Sequence, residues 1–203
     1  MLQTTVRRAL TSGFLGDLVE DGPRRARPAR IASPSINGVS SNRLGRAFGY
    51  SGEVPLPAAA QGAAYEAQVI VGGPVFFGIL GNPYSYALYG GNTVAEGALG
   101  TSQDLPFGAL GEFFDMATGL CVEIFNEKDT AITNHFGDRV AYTTVVSPAG
   151  VPIGGLVALP PDASAPPAGY VVIPNARLVR TFDMAASPAG VPVSMLSVIQ
   201  LTQ

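Results

Sequence analysis

The sequence predicts a mainly β protein, an antiparallel barrel or sandwich preceded by an extended N-terminal arm. Three observations carry that expectation. Glycine (25) and proline (17) make up about a fifth of the 203 residues, a frequency that interrupts helices and suits short strands divided by turns. Between the turns recur apolar runs rich in Val, Ile, Tyr and Phe, residues that fit a pleated, half-buried surface. No window sustains helical spacing of its apolar positions, although 58–67 is compatible with a short helix.

Residues 1–44 read as the arm. Gly13, Gly16, Gly22, Pro23, Pro28, Pro34 and Gly38 recur too often for a helix, and each proline pushes the residue before it toward extended geometry. Residues 1–46 carry eight of the twelve basic residues and three acidic ones, a net of +5. The remainder carries four basic and twelve acidic residues, a net of −8, giving −3 overall. Within the arm, Phe14, Leu15, Leu18 and Val19 form one short apolar patch, expected to anchor in another protein's surface.

Residues 45–203 read as the β-rich body. Its expected strands are 46–50, 66–71, 75–80, 84–89, 120–125, 139–146, 154–159, 169–174, 177–184 and 193–201. Gly137-Asp138 and Gly90-Gly91-Asn92 are the strongest hairpin signals. Ser147-Pro148-Ala149-Gly150-Val151-Pro152 recurs forty residues later as Ser187-Pro188-Ala189-Gly190-Val191-Pro192. Two copies are too few for a solenoid; they read as two equivalent strand–turn–strand units or as one good turn used twice.

Composition narrows the function. Only 13% of the residues are charged, about half the usual share, so part of the surface is expected to lie under other protein. The N-terminus lacks the apolar core of a signal peptide, and the long apolar stretch 68–111 is too often interrupted by Gly, Pro, Asn and a few acids for a membrane helix. The chain is therefore expected to be soluble.

Candidate chemistry is sparse. His135 is the only histidine and Cys121 the only cysteine, which excludes a zinc-type site built from such ligands within one chain. Glu127, Asp129 and Asp138 do not match the calcium-loop spacing. No Gly-x-Ser-x-Gly motif is present, and Cys121 has no flanking cation to activate it. Glu112 and Asp115 form a carboxylate pair of the kind a glycosidase uses, but they alternate with aromatics as a strand or turn edge does. The glycine-rich loops lack the Lys-Ser/Thr ending of a phosphate loop. Neither a cofactor nor a metal is expected, and the chain reads as non-enzymatic.

Arg24, Arg25, Arg27 and Arg30 are the remaining cluster. Clustered arginines can neutralise phosphates, but no aromatics are interleaved to stack bases and the chain as a whole is acidic. Arginine also forks onto carboxylates, so a protein partner is preferred to nucleic acid, and no membrane partner is expected.

Several segments stand in a familiar order. They are Gln3-Thr4-Thr5-Val6, Gly13-Phe14-Leu15-Gly16-Asp17, the proline-bounded basic stretch, and Asn42-Arg43-Leu44-Gly45-Arg46-Ala47-Phe48. The turn-rich run 69–82 and Gly137-Asp138-Arg139-Val140-Ala141-Tyr142 follow. Together they resemble the structural cement proteins of tailed-bacteriophage capsids. The resemblance implies a β-rich body on the outside of the head, set between major capsid subunits. It supplies no catalytic residue and marks Phe14, Leu15 and Asp17 as matching arm positions. The expected partner-binding residues are thus Phe14, Leu15, Asp17, Leu18, Val19, Arg24, Arg25, Arg27 and Arg30. The expected partners are the major capsid protein and copies of the chain itself, as a trimer rather than a dimer, made in the host cytoplasm. The alternative is a virion receptor-binding or host-attachment β-module docked through its arm.

Overall fold

A computed structural model of the chain describes residues 15–20, 22–33, 42–55, 65–82, 104–128, 130–163, 166–180, 183–186 and 191–202. Its regular elements are all strands: β1 (Arg24–Ile31), β2 (Ala47–Pro55), β3 (Tyr65–Val71), β4 (Phe76–Leu80), β5 (Leu110–Asn126), β6 (Ile132–Thr133), β7 (Arg139–Thr143), β8 (Leu156–Leu159), β9 (Tyr170–Arg180), β10 (Asp183–Met184) and β11 (Val193–Leu201). Among the described residues no helix is long and apolar enough to cross a membrane.

The strands close into rings that share β5. Strands β1, β3, β2, β4 and β5 are neighbours in that order, and β1 pairs back onto β5 to close a five-stranded barrel. Beyond it, β5, β11, β9, β7 and β8 follow in order, and β8 pairs back onto β5. A ring with an odd number of strands cannot alternate direction all the way round, so each needs a parallel pair. Each has one. β1 and β3 are parallel at Arg30↔Gln68 and Ile31↔Val69; β5 and β8 are parallel at Ile124↔Leu156 and Phe125↔Val157.

β5 lends opposite faces to the two rings. Phe113 points into the first, among Ala29, Ile31, Phe48, Val69 and Leu80. Phe114 and, further along, Leu120, Val122 and Ile124 face the second core, with Tyr142, Leu156, Ile173, Leu178 and Ile199. Each large apolar side chain so buried contributes about 1.5–3 kcal/mol.

The shared strand also bends. Gly16 donates its N–H to the Cys121 carbonyl (2.9 Å) and accepts from the Asn82 N–H (3.0 Å), while Gly81 donates to the Glu112 carbonyl (2.9 Å). That path from Cys121 to Glu112 is no longer than about 16 Å, whereas nine residues of straight strand span about 30 Å. The bend falls near Gly119, at φ 73°, where the β5–β11 register slips between Ile199 and Leu201.

The arm–body boundary at 44/45 needs correcting for the described part of the arm. Residues 24–31 are not a free extension but a strand of the first barrel, paired along β5 from Arg24↔Ala117 to Arg30↔Leu110. A proline within a strand is confined to positions where its missing N–H is not needed by the ladder. Here Ile31 donates to Ala109, which places Pro28 opposite Glu112 in a pair that exchanges no hydrogen bonds. Its missing N–H points to the other edge, which β3 covers only at Arg30 and Ile31.

Of the two fold alternatives, the barrel is the one found. Several expected strands lie close to those observed, while 84–89, 58–64 and the turn at 90–92 fall outside the described residues. Residues 65–67 of the compatible helix open β3. The expected strand 169–174 and the first part of 177–184 merge into β9, which continues through Pro174 and Asn175, the latter at φ 55°, and ends at Arg180, while Asp183 and Met184 form β10. Gly137-Asp138 is a turn but not a hairpin, since β6 pairs with β10 rather than β7. The first copy of the repeated hexapeptide lies in the β7–β8 connection, where Gly150 donates to the Ser147 carbonyl and Val151 to the Ser147 hydroxyl. Residues 187–190 of the second copy lie outside the described residues.

Candidate partner-binding surface

The strand pairing of β1 brings its arginines to one end and one outer face of the first barrel. Arg25 forks onto Asp115, Nε to Oδ1 at 2.9 Å and Nη2 to Oδ2 at 2.6 Å. Arg27 Nη2 reaches the same Oδ2 at 2.7 Å. Burial alone would raise the Asp115 pKa. The Arg25 hydrogen bond and the charges of Arg27 and Arg25 prevail and hold it below the ordinary aspartate value. The same hydrogen bond raises the Arg25 pKa.

Arg27 also lies over the Phe77 ring, 4.7 Å from its centroid. Phe77 meets Phe113 edge-on at 5.7 Å, and Phe113 tilts against Phe48 at 5.0 Å. A column of π contacts therefore runs from a half-exposed guanidinium into the first core. Arg30 pairs with Glu66 (Nε–Oε2 2.7 Å) and donates to the Gly108 carbonyl at 2.9 Å. Arg24 is exposed. Asp115 and Glu66 answer two of the four charges, and Glu112 stands opposite Pro28, so the patch keeps a small positive excess.

The expected apolar anchors are placed differently. Leu15 is buried in the first core and Leu18 packs on the second, so both spend their surface on this chain, contrary to the expectation of a neighbour's groove. The reason is local: residues 16–19 run beside β5, exchanging backbone hydrogen bonds with Gly119 and Cys121. Asp17 accepts from the Asn82 amide at 2.9 Å, Val19 is half-buried, and Glu20 pairs with Arg180 at 3.2 Å. Phe14 lies outside the described residues.

A charged seam between the barrels escaped the sequence reading. Arg46, buried, lies 5.3 Å from the Phe125 ring centroid and donates to the Ile153 carbonyl. Burial lowers its pKa to about 10, against the pull of Glu123, so it stays charged at neutral pH. Arg43 approaches Glu123 at 3.6 Å, and Ser194 donates to Glu123 at 2.6 Å. These partners are far apart in sequence, and only the shared sheet brings them together.

Among the described residues, the candidates for catalysis are not brought together as a nucleophile, a base and an orienting acid. Cys121 is buried, and burial with the Asp17 charge pushes its pKa up to about 11. Asp115 is tied to two arginines and held ionised, the wrong state for a general acid. Asp138 accepts the His135 backbone N–H at 2.7 Å. Both face a groove of about 610 Å³ that also holds Glu127, Lys128 and Phe136, and there Tyr170 donates to Glu127. Among the described residues no three His, Cys, Asp or Glu side chains are grouped to hold a metal.

Comparison with family models and with curated proteins finds no match. Among solved structures, the chain is similar to one in the capsid of Myoviridae phage XM1. The likeness covers 100% of this chain and 98% of that chain, with a TM-score of 0.50 and 10% sequence identity. At that identity it shows a shared fold, one found in a phage capsid, and it does not single out the structural cement proteins.

Proposed function

We propose that this chain is a non-enzymatic structural protein of a phage virion, bound to the outside of the head, where it cements neighbouring major capsid subunits. The observation that carries the reading is the fold likeness to a capsid chain over essentially the full length of both. The sparse surface charge supports it, as does the packed interior of both barrels, which serves a scaffold that displays surfaces. Arg24, Arg25, Arg27 and Arg30 form the partner-facing patch, steering and orienting the chain on an acidic neighbour. Copies at threefold positions of the shell would form the trimer that the sequence reading favours.

The test is direct. Purified chain is mixed with undecorated phage heads and sedimented. Saturable binding that raises the heads' resistance to heat is expected. Absence of binding at micromolar concentration overturns the proposal, and binding to host cells instead would establish the attachment-module reading.

A further inference from the structure

Two turns of this fold are near copies of one another, one in each barrel. They are Leu105-Pro106-Phe107-Gly108-Ala109, leading into β5, and Asn134-His135-Phe136-Gly137-Asp138, leading into β7. In each, the last residue's N–H returns to a carbonyl three residues back: Ala109 to Pro106 at 3.2 Å and Asp138 to His135 at 3.1 Å. In each, the glycine takes positive φ, 80° and 88°, the type II pattern in which glycine is favoured. Each glycine N–H is then spent on the chain's own barrel, Gly108 on the Ile31 carbonyl (2.8 Å) and Gly137 on the Leu178 carbonyl (2.9 Å). Leu105, Ala109, Asn134 and Asp138 are buried, whereas Phe107 and Phe136 are 67% and 77% exposed.

Such a turn does not by itself force the display. The turns 43–46, 70–73 and 152–155 share the hydrogen bond and the positive-φ glycine. They turn the equivalent side chain inward: Leu44 is 1% exposed, Val71 5%, and Ile153 packs on the first core. Among the described residues, only the two phenylalanines, of the large side chains at this position, point out.

A lone exposed phenylalanine needs no explanation. A matched pair in the same hydrogen-bonded turn does, because a rigid turn has little entropy left to lose on docking. Buried aromatics also dominate the binding energy of protein interfaces. Two alike anchors fit two alike pockets, and a shell built from one repeated subunit supplies such pockets on neighbours. We propose that Phe107 and Phe136 are paired anchors that insert into equivalent apolar pockets of two adjacent shell subunits, so that one copy of this chain bridges them. The inference rests on the capsid-binding reading.

The experiment compares wild-type chain with Phe107→Ser, Phe136→Ser and the double variant in binding to undecorated heads. Thermal melts verify that each variant is folded; both side chains are exposed, so unchanged melts are expected. Bivalent engagement multiplies affinity by about 100-fold or more. Each single variant should therefore bind at least about 100-fold more weakly, with the two losses similar, and the double variant should not bind specifically. Undiminished binding by the double variant, or a loss confined to one of the two positions, overturns the paired-anchor proposal while leaving capsid binding intact. If the wild-type chain itself does not bind, the capsid reading fails and takes this inference with it.

Discussion

A buried carboxylate that answers two guanidinium groups cannot be removed from one side without cost. Asp115 is buried, whereas Arg25 and Arg27 remain half-exposed and can be rehydrated. Asp115→Asn is therefore expected to cost about 1–3 kcal/mol, the range for losing a charged hydrogen-bond partner, toward the lower end because of that exposure. The pH dependence follows from the depressed pKa of Asp115 in the folded chain. In the unfolded chain the carboxyl takes up its proton near pH 3.9, before the folded one does. Its contribution is thus present above that pH and lost as the pH falls through the folded value. Urea titrations of wild-type and Asp115→Asn chains should differ at pH 7, and the gap should narrow as the pH falls below the ordinary aspartate value. A gap that persists undiminished at low pH would show that the carboxylate's charge is not what stabilises this end of the barrel.

Among the elements, the segment 15–20 and β1 are the ones whose placement the sequence concealed. Leu15→Ala removes a side chain from the first core and is expected to cost about 2–5 kcal/mol, measured as a drop in the midpoint of chemical unfolding. An anchor meant for a partner would instead leave the isolated chain's stability unchanged. The body strands were legible because Val, Ile and Phe repeat in them across several positions. β1 offers only Ala29 and Ile31 to the interior, too short an alternation to stand out from four arginines and a proline. β5 was half visible: its second half is an apolar run broken by Glu123, while the first half mixes Glu112 and Asp115 with aromatics, as a strand between two environments does. The basic cluster was legible as residues, but its partners, Asp115 and Glu66, lie 90 and 36 positions away. The charged seam between Arg46, Glu123 and Phe125 had no local signal at all. Neither did the kinship of the two Phe-Gly turns, which appears only once both are seen bonded to their barrels.

At the scale of the whole molecule, the sharing of β5 sets how the chain unfolds. Two barrels on separate strands could open independently, each at its own midpoint. Here Leu110–Asn126 supplies a wall to both, and residues 16–19 lie along it while Leu15 and Leu18 enter different cores. Loss of either ring would leave a long edge of β5 unpaired and one of its apolar faces in water, so partial opening is costly in both directions. The chain is expected to unfold in a single cooperative transition, as single domains of modest size do. Hydrogen exchange followed through a denaturant series supplies the check. Amides of β3 and β4, in the first barrel, and of β7 and β9, in the second, should lose protection at the same midpoint. Two well-separated midpoints would sink the idea and make the barrels independent units joined by a passive strand. The outcome bears on function, because Phe107 and Phe136 stand on different barrels and can bridge two fixed pockets only if those barrels hold one geometry.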